Sequence, residues 1–299
     1  KFHLENGEFQ EIHSISPTRI DPGYISRPKS IKYPVDDAKN QVHAFFYPPV
    51  NKDYQAPNDE RPPLIVMMHG GPTSATEARF NLKIQYWTSR GFAVLDVNYR
   101  GSTGFGRAYR EMLNGLWGIA DVEDCVEGAT YLSKKGLVDN QRLIIRGSSA
   151  GGYTVLAALA FYNVFSAGTC YYGIGDLELL VKETHKFESR YLDKLIGPYP
   201  EEREKYLQRS PIHAVDQIDV PIIFFQGLED KVVPPDQAER MVNGLKARGI
   251  PVVYMTFEEE GHGFRQAETL RQTLLAEWGF YGAVFNISLP EGIPPIKFY

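Results

Sequence analysis

The amino-acid sequence predicts an α/β protein, a mostly parallel central sheet with helices on both faces. Three observations carry that expectation. From Leu64 onward, short apolar runs rich in β-branched residues alternate with segments whose apolar residues recur at helical spacing. Runs such as Pro221-Ile222-Ile223-Phe224-Phe225-Gln226-Gly227 read as buried strands. A chain of 299 residues is also long enough to bury one large core.

In chain order, residues 1–13 suggest a hairpin. Phe2-His3-Leu4 and Glu8-Phe9-Gln10-Glu11-Ile12 flank Glu5-Asn6-Gly7, and Asn-Gly between short strands is a strong hairpin signal. Residues 14–29, with Pro17, Pro22 and Pro28, read as a linker, so the expected division is 1–29 hairpin and linker, 30–299 one α/β domain. Strands are expected near Ser30–Tyr33 and Gln41–Tyr47, followed by a proline-rich exposed loop to Pro63. Further strands are expected at Leu64–Met68, Phe92–Val97, Leu143–Ile145, Ala167–Tyr172, Pro221–Gly227 and Val252–Phe257. Ile119, Val122, Cys125, Val126, Ala129 and Leu132 form a helical stripe. A helix near Asp236 carries an Asp-x-x-Glu capping box with Glu239, and a last helix spaces Leu270, Leu274, Trp278, Tyr281 and Phe285. The aromatic, charged stretch between Asp176 and Ile218 breaks the alternation. It reads equally well as a lid or pocket wall and as extra surface helices.

Residues 147–151, Gly-Ser-Ser-Ala-Gly, form a Gly-x-Ser-x-Gly pattern between a strand and a small-residue helix, Ala150 to Phe161. That setting is the strained turn of an α/β-hydrolase, with Ser149 exposed at its apex as nucleophile and Ser148 turned away to cap the helix. A serine hydroxyl needs a base oriented by a carboxylate, which follow it in the order Asp/Glu, then His. Asp230 lies just past the strand ending at Gly227, and His262 lies between Gly261 and Gly263 after the next strand. Both loops are at the carboxyl ends of strands, where sites gather in open parallel sheets. Asp176 and Glu229 are rivals for the acid; the rigid Val232-Val233-Pro234-Pro235 that follows favours Asp230. His69-Gly70-Gly71-Pro72 follows another strand, which assigns the backbone N–H groups of Gly71 and Ala150 to an oxyanion hole and leaves His69 a structural staple.

Composition narrows the rest. The net charge of −5 and the lack of a basic stripe argue against nucleic-acid partners, and no apolar run approaches a membrane span. The two cysteines, Cys125 and Cys170, read as buried thiols, so a cytoplasmic location is expected. No His/Cys pair has metal-ligand spacing, and no metal or cofactor is expected. The glycines of Arg100-Gly101-Ser102-Thr103-Gly104-Phe105-Gly106 are wrongly spaced for a phosphate loop.

Taken together, His69-Gly70-Gly71-Pro72, the Asn98–Gly106 segment, Gly147–Tyr153, Gly227-Leu228-Glu229-Asp230 with Val233-Pro234, and Gly261-His262-Gly263-Phe264 resemble the prolyl oligopeptidase family of serine peptidases. The resemblance is to its acylaminoacyl-peptidase and dipeptidyl-peptidase branch and covers the chain from about residue 60 to its end. It implies a Ser149–Asp230–His262 triad, short peptide substrates, and a β-propeller ahead of the hydrolase domain. The hairpin and the absence of a methionine before Lys1 fit a catalytic domain cut from a longer protein, whose uncovered face would favour a homo-oligomer. Tyr171, Tyr172, Phe187 and Tyr191 are candidate walls of an apolar substrate pocket, and Glu183, Glu188 and Asp193 are candidate partners for a substrate ammonium. A carboxylesterase would use the same catalytic residues, and a binding module that only kept the fold is the reading from outside enzymology.

Overall fold

A computed structural model describes residues 1–12, 20–36, 38–183 and 189–299. Among these, one sheet holds β1 (Lys29–Val35), β2 (Asn40–Tyr47), β3 (Leu64–Met68), β4 (Ala93–Asn98), β5 (Leu143–Ser148), β6 (Ala167–Tyr171), β7 (Ile222–Gly227) and β8 (Val252–Phe257). Their spatial order is β1-β2-β4-β3-β5-β6-β7-β8. The β1–β2 and β2–β4 pairs are antiparallel and every pair from β4 to β8 is parallel, so the expected mostly parallel sheet is present.

The helices are α1 (Leu82–Thr88), α2 (Arg107–Glu111), α3 (Ala120–Lys134), α4 (Ala150–Phe161), α5 (Leu177–Glu183), α6 (Tyr191–Leu195), α7 (Arg203–Arg209), α8 (Pro235–Ala247) and α9 (Ala267–Phe285). Successive side chains of a strand face opposite ways. Leu64, Val66 and Met68 of β3 therefore join one core with α3, α4 and α8, while Ile65 and Met67 join a second core with α1 and α9. All five are buried, which is why β3 shows no polar alternation. Helix α4 is buried from Ala150 to Ala160, so it too is apolar all round, and its small residues let it lie tight against the sheet. A Cβ on Gly152 would come within 2.7 Å of the Gly173 Cα.

Three expectations are corrected. The N-terminal hairpin closes through one antiparallel bridge, Phe2 with Phe9, with Gly7 at φ +70° in its turn, rather than through two strands over 1–13. Residue 13 lies outside the described residues. The capping box at Asp236 does not form: α8 starts one residue earlier, at Pro235, whose fixed φ suits a first helical position, and Pro234 offers no side-chain cap. Ser148 ends β5 and does not cap α4. The stretch between Asp176 and Ile218 is helical where described, with α5, α6, α7 and a 3₁₀ segment at Pro211–Gln217.

Candidate active site

Ser149 sits between β5 and α4 with φ 57° and ψ −124°. A non-glycine residue in this region costs about 1–3 kcal/mol and persists only where its surroundings hold it. Its N–H donates to the Tyr171 carbonyl at 3.0 Å, and its own carbonyl accepts from the Tyr153 N–H at 3.0 Å. Gly147 has no room for a side chain, since a Cβ there would lie 2.2 Å from the Gly151 carbonyl oxygen. The turn therefore dictates its small neighbours.

His262 Nε2 lies 2.8 Å from Ser149 Oγ, and His262 Nδ1 lies 2.8 Å from Asp230 Oδ2. An ionised carboxylate only accepts, so Nδ1 carries the ring proton and Nε2 is left to accept from the serine hydroxyl. Asp230 is buried, and its other oxygen accepts from the Val232 and Val233 N–H groups, each at 2.9 Å. The Val-Val-Pro-Pro loop is thus folded around the carboxylate.

The acid loop and the histidine loop are also joined to each other. Glu229 N–H donates to the Glu260 carbonyl at 3.0 Å, and Leu228 N–H to that of Phe257 at 2.9 Å. The buried Glu260 carboxylate accepts from the N–H groups of Arg265 at 2.9 Å and Gln266 at 3.0 Å, closing the loop that carries His262. Sequence reasoning missed Glu260. It lies seven residues before the first residue of α9, and no short-range pattern ties it to the N–H groups of Arg265 and Gln266 that it accepts from.

Neither rival acid reaches the histidine. Asp176 ion-pairs with Arg240 at 2.7 Å and accepts from the N–H groups of Glu178 and Leu179. Glu229 is exposed. His69, as expected, staples its loop: Nδ1 donates to the Gly70 carbonyl at 2.8 Å, Nε2 accepts from Ser102 Oγ at 2.7 Å, and the ring stacks on Tyr99. Burial pushes its pKa down to about 4, so it is neutral at physiological pH. The Arg100 loop is structural as well, its guanidinium held by Asp124, Glu123 and Asp36.

Gly71, Pro72, Ser149, Ala150 and His262 border one cavity of about 300 Å³. Gly71 has φ +121° and precedes Pro72 by a cis peptide bond. Ala150 provides the first N–H of α4. Tyr191 lines the same cavity, and its hydroxyl lies 2.6 Å from Thr73 Oγ1. The other aromatic candidates are placed differently. Tyr172 packs edge-on against the His262 ring at 4.9 Å rather than lining the cavity. Tyr171 faces the second core, where its hydroxyl donates to Glu277 at 2.9 Å. Phe187 and Glu188 lie outside the described residues. Glu183 is exposed at the end of α5, and Asp193 pairs with Arg190 at 3.0 Å. Among the described residues no cluster of three His, Cys, Asp or Glu side chains could hold a metal, and no helix is long and apolar enough to cross a membrane.

A parallel sheet, a strained serine turn and a serine–histidine–aspartate contact at the carboxyl ends of the strands define an α/β-hydrolase fold. Residues 78–288 match the prolyl oligopeptidase family, and the chain belongs to that family. Dipeptidyl aminopeptidase BIII of Pseudoxanthomonas mexicana is 33% identical over 224 residues, which cover 73% of this chain and 32% of the relative. An acylamino-acid-releasing enzyme of Arabidopsis thaliana is 28% identical over 266 residues, 83% of this chain and 34% of that enzyme. A crystal structure of a puromycin hydrolase mutant complexed with PGG has a TM-score of 0.95 at 43% identity, covering 100% of this chain and 45% of that one. The chain thus spans about a third of the length of these curated relatives.

Proposed function

We propose that this chain is the catalytic domain of a serine peptidase that hydrolyses short peptides through an acyl-enzyme. The observation that carries this reading is the unbroken contact from Ser149 Oγ through His262 to Asp230, at 2.8 Å and 2.8 Å. His262 takes the Ser149 proton as Oγ attacks the substrate carbonyl, and Asp230 holds the imidazole tautomer and stabilises the cation. The N–H groups of Gly71 and Ala150 receive the developing oxyanion, and His262 then protonates the leaving amine. Water repeats the sequence to release the acyl group. Fixed oxyanion donors of this kind are worth about 10²–10³ in rate each.

The relatives named above are, by their printed names, a dipeptidyl aminopeptidase and an acylamino-acid-releasing enzyme, which supports short peptides as substrates. The two free, buried thiols of Cys125 and Cys170 support a cytoplasmic location. We also propose a β-propeller ahead of this domain, as the family resemblance implies; the relatives, of which the chain spans 32% and 34%, are long enough to hold further domains.

Ser149→Ala is expected to lower turnover by about 10⁶ on aminoacyl or acylaminoacyl p-nitroanilides and to abolish labelling by a fluorophosphonate. Near-native hydrolysis by that variant would refute the nucleophile. Cleavage of p-nitrophenyl esters with no cleavage of any p-nitroanilide would replace the peptidase with a carboxylesterase.

A further inference from the structure

Tyr172 lies off the cavity lining, yet three parts of the site converge on it. The peptide group that joins it to Tyr171 is held at both ends. Its carbonyl accepts from the Ser149 N–H at 3.0 Å, and its N–H donates to the Phe225 carbonyl of β7 at 2.8 Å. One peptide thus ties the nucleophile turn to the strand that leads to Asp230. Tyr172 then takes a φ of 37°. A bulky side chain in this left-handed region persists only where its surroundings hold it, and such outliers gather at functional sites.

The ring of Tyr172 reaches the histidine loop. Its centroid lies 4.9 Å from that of His262, at 62°, and 5.2 Å from that of Phe264, at 73°, both favourable edge-to-face pairs. His262 and Phe264 flank Gly263, which has a φ of 92° and open space where a side chain would be. Both neighbours of this glycine therefore pack against a ring whose own backbone is fixed.

His262 is held by two hydrogen bonds, to Ser149 and to Asp230. In the acyl-enzyme the first is gone, because Ser149 Oγ has lost its proton and carries the acyl group. The imidazole is then free to pivot about its bond to Asp230 unless a third contact stops it, and it must stay in place to take a proton from the attacking water. We infer that Tyr172 is a positioning residue, its ring holding the His262 imidazole in line for deacylation, when Ser149 no longer does. This inference rests on the serine-peptidase reading above.

The test follows p-nitrophenyl esters, whose acylation is easy and whose turnover therefore reports deacylation. Rates are counted per site titrated to completion with a fluorophosphonate, so unfolded protein does not enter them. In Tyr172→Leu, kcat is expected to fall about tenfold, the upper end of what one ring pair is worth, with KM unchanged or lower. Tyr172→Phe, which keeps the ring, should restore kcat to within about threefold of native. Tyr172→Gly adopts the positive φ without strain, and it gives the same reading as the leucine variant if that one does not fold. A kcat within about twofold of native without the ring, a loss that appears as a raised KM, or an equal loss in Tyr172→Phe would each overturn the inference. Native protein that takes up no fluorophosphonate would instead sink the serine-peptidase reading, whereas labelling with native turnover in the ring-less variants sinks only the role of Tyr172.

Discussion

Asp230 shows how one carboxylate orients a base. One oxygen is spent on two backbone N–H groups and the other on His262 Nδ1, so neither the carboxylate nor the ring can rotate without leaving a buried group unpaired. Asp230→Asn keeps the shape but presents an amide that favours the wrong imidazole tautomer. We expect turnover to fall by about 10⁴ with KM little changed; steady-state rates on one p-nitroanilide check this, and a loss under tenfold would remove Asp230 from the relay. His69 gives a second prediction. Its folded pKa of about 4 lies below its ordinary value of 6.5 because burial disfavours the cation. Between those values the unfolded chain binds a proton that the folded one refuses, so His69 withdraws stability as pH falls from about 6.5 to about 4, by on the order of 3 kcal/mol. Asp96 and Asp121, pushed up to about 6 by burial, act in the opposite sense over part of that range. The direct measurement is therefore an NMR titration of the His69 ring, with an expected midpoint near 4; a midpoint near 6.5 would contradict its burial. Ser149 and His262 were legible because glycine-flanked positions between strand and helix leave a chemical signature. The choice among Asp230, Asp176 and Glu229 was harder, since it turns on burial and on which ion pair each acid makes, and Glu260 was invisible until its backbone partners were in place.

Helix α4 and the turn that follows β6 approach so closely that their contact is made of glycine. Gly152 lies where a Cβ would strike the Gly173 Cα at 2.7 Å, and backbone cannot step aside as a flexible side chain can. Gly152→Ala is expected to force α4 away from the sheet and cost about 1–3 kcal/mol in stability. Urea denaturation reads the loss, and an unchanged midpoint would show that the contact tolerates a methyl group. Because Ala150 opens this same helix, the displacement should also lower turnover in the folded variant. Most elements were readable from the sequence for a simple reason: strands buried on both faces are apolar without interruption, and the stripe from Val122 to Leu132 repeats at the helical period. Failures cluster where two local rules compete. At α8 a capping box and a first-turn proline both claimed the helix start, and the proline won because its φ is fixed before any hydrogen bond forms. Tyr172, a candidate pocket wall from the sequence, has a φ of 37° that takes the chain out of the strand, and its ring packs against His262.

The molecule as a whole hides its apolar residues in two cores, and the N-terminal hairpin departs from that economy. Leu4 is 89% exposed, Phe9 85% and Ile12 77%, although Phe2 and Phe9 pack ring on ring at 4.7 Å. A two-stranded hairpin held by one bridge is marginal by itself in water. Its exposed side chains gain only by meeting apolar surface that the described residues do not offer them. In the reading proposed above a preceding domain supplies that surface; in its absence a second copy of the chain is the available substitute. We therefore expect the 299-residue chain to self-associate as its concentration rises, and a chain lacking residues 1–12 to do so markedly less. Sedimentation velocity on both, over a hundredfold range of concentration, measures this directly. The shortened chain should keep fluorophosphonate labelling of Ser149, because the hairpin contributes nothing to either core or to the cavity. Two monomers that sediment alike at every concentration would show that the exposed hairpin residues carry no association energy, and the hairpin would then stand as an isolated surface turn.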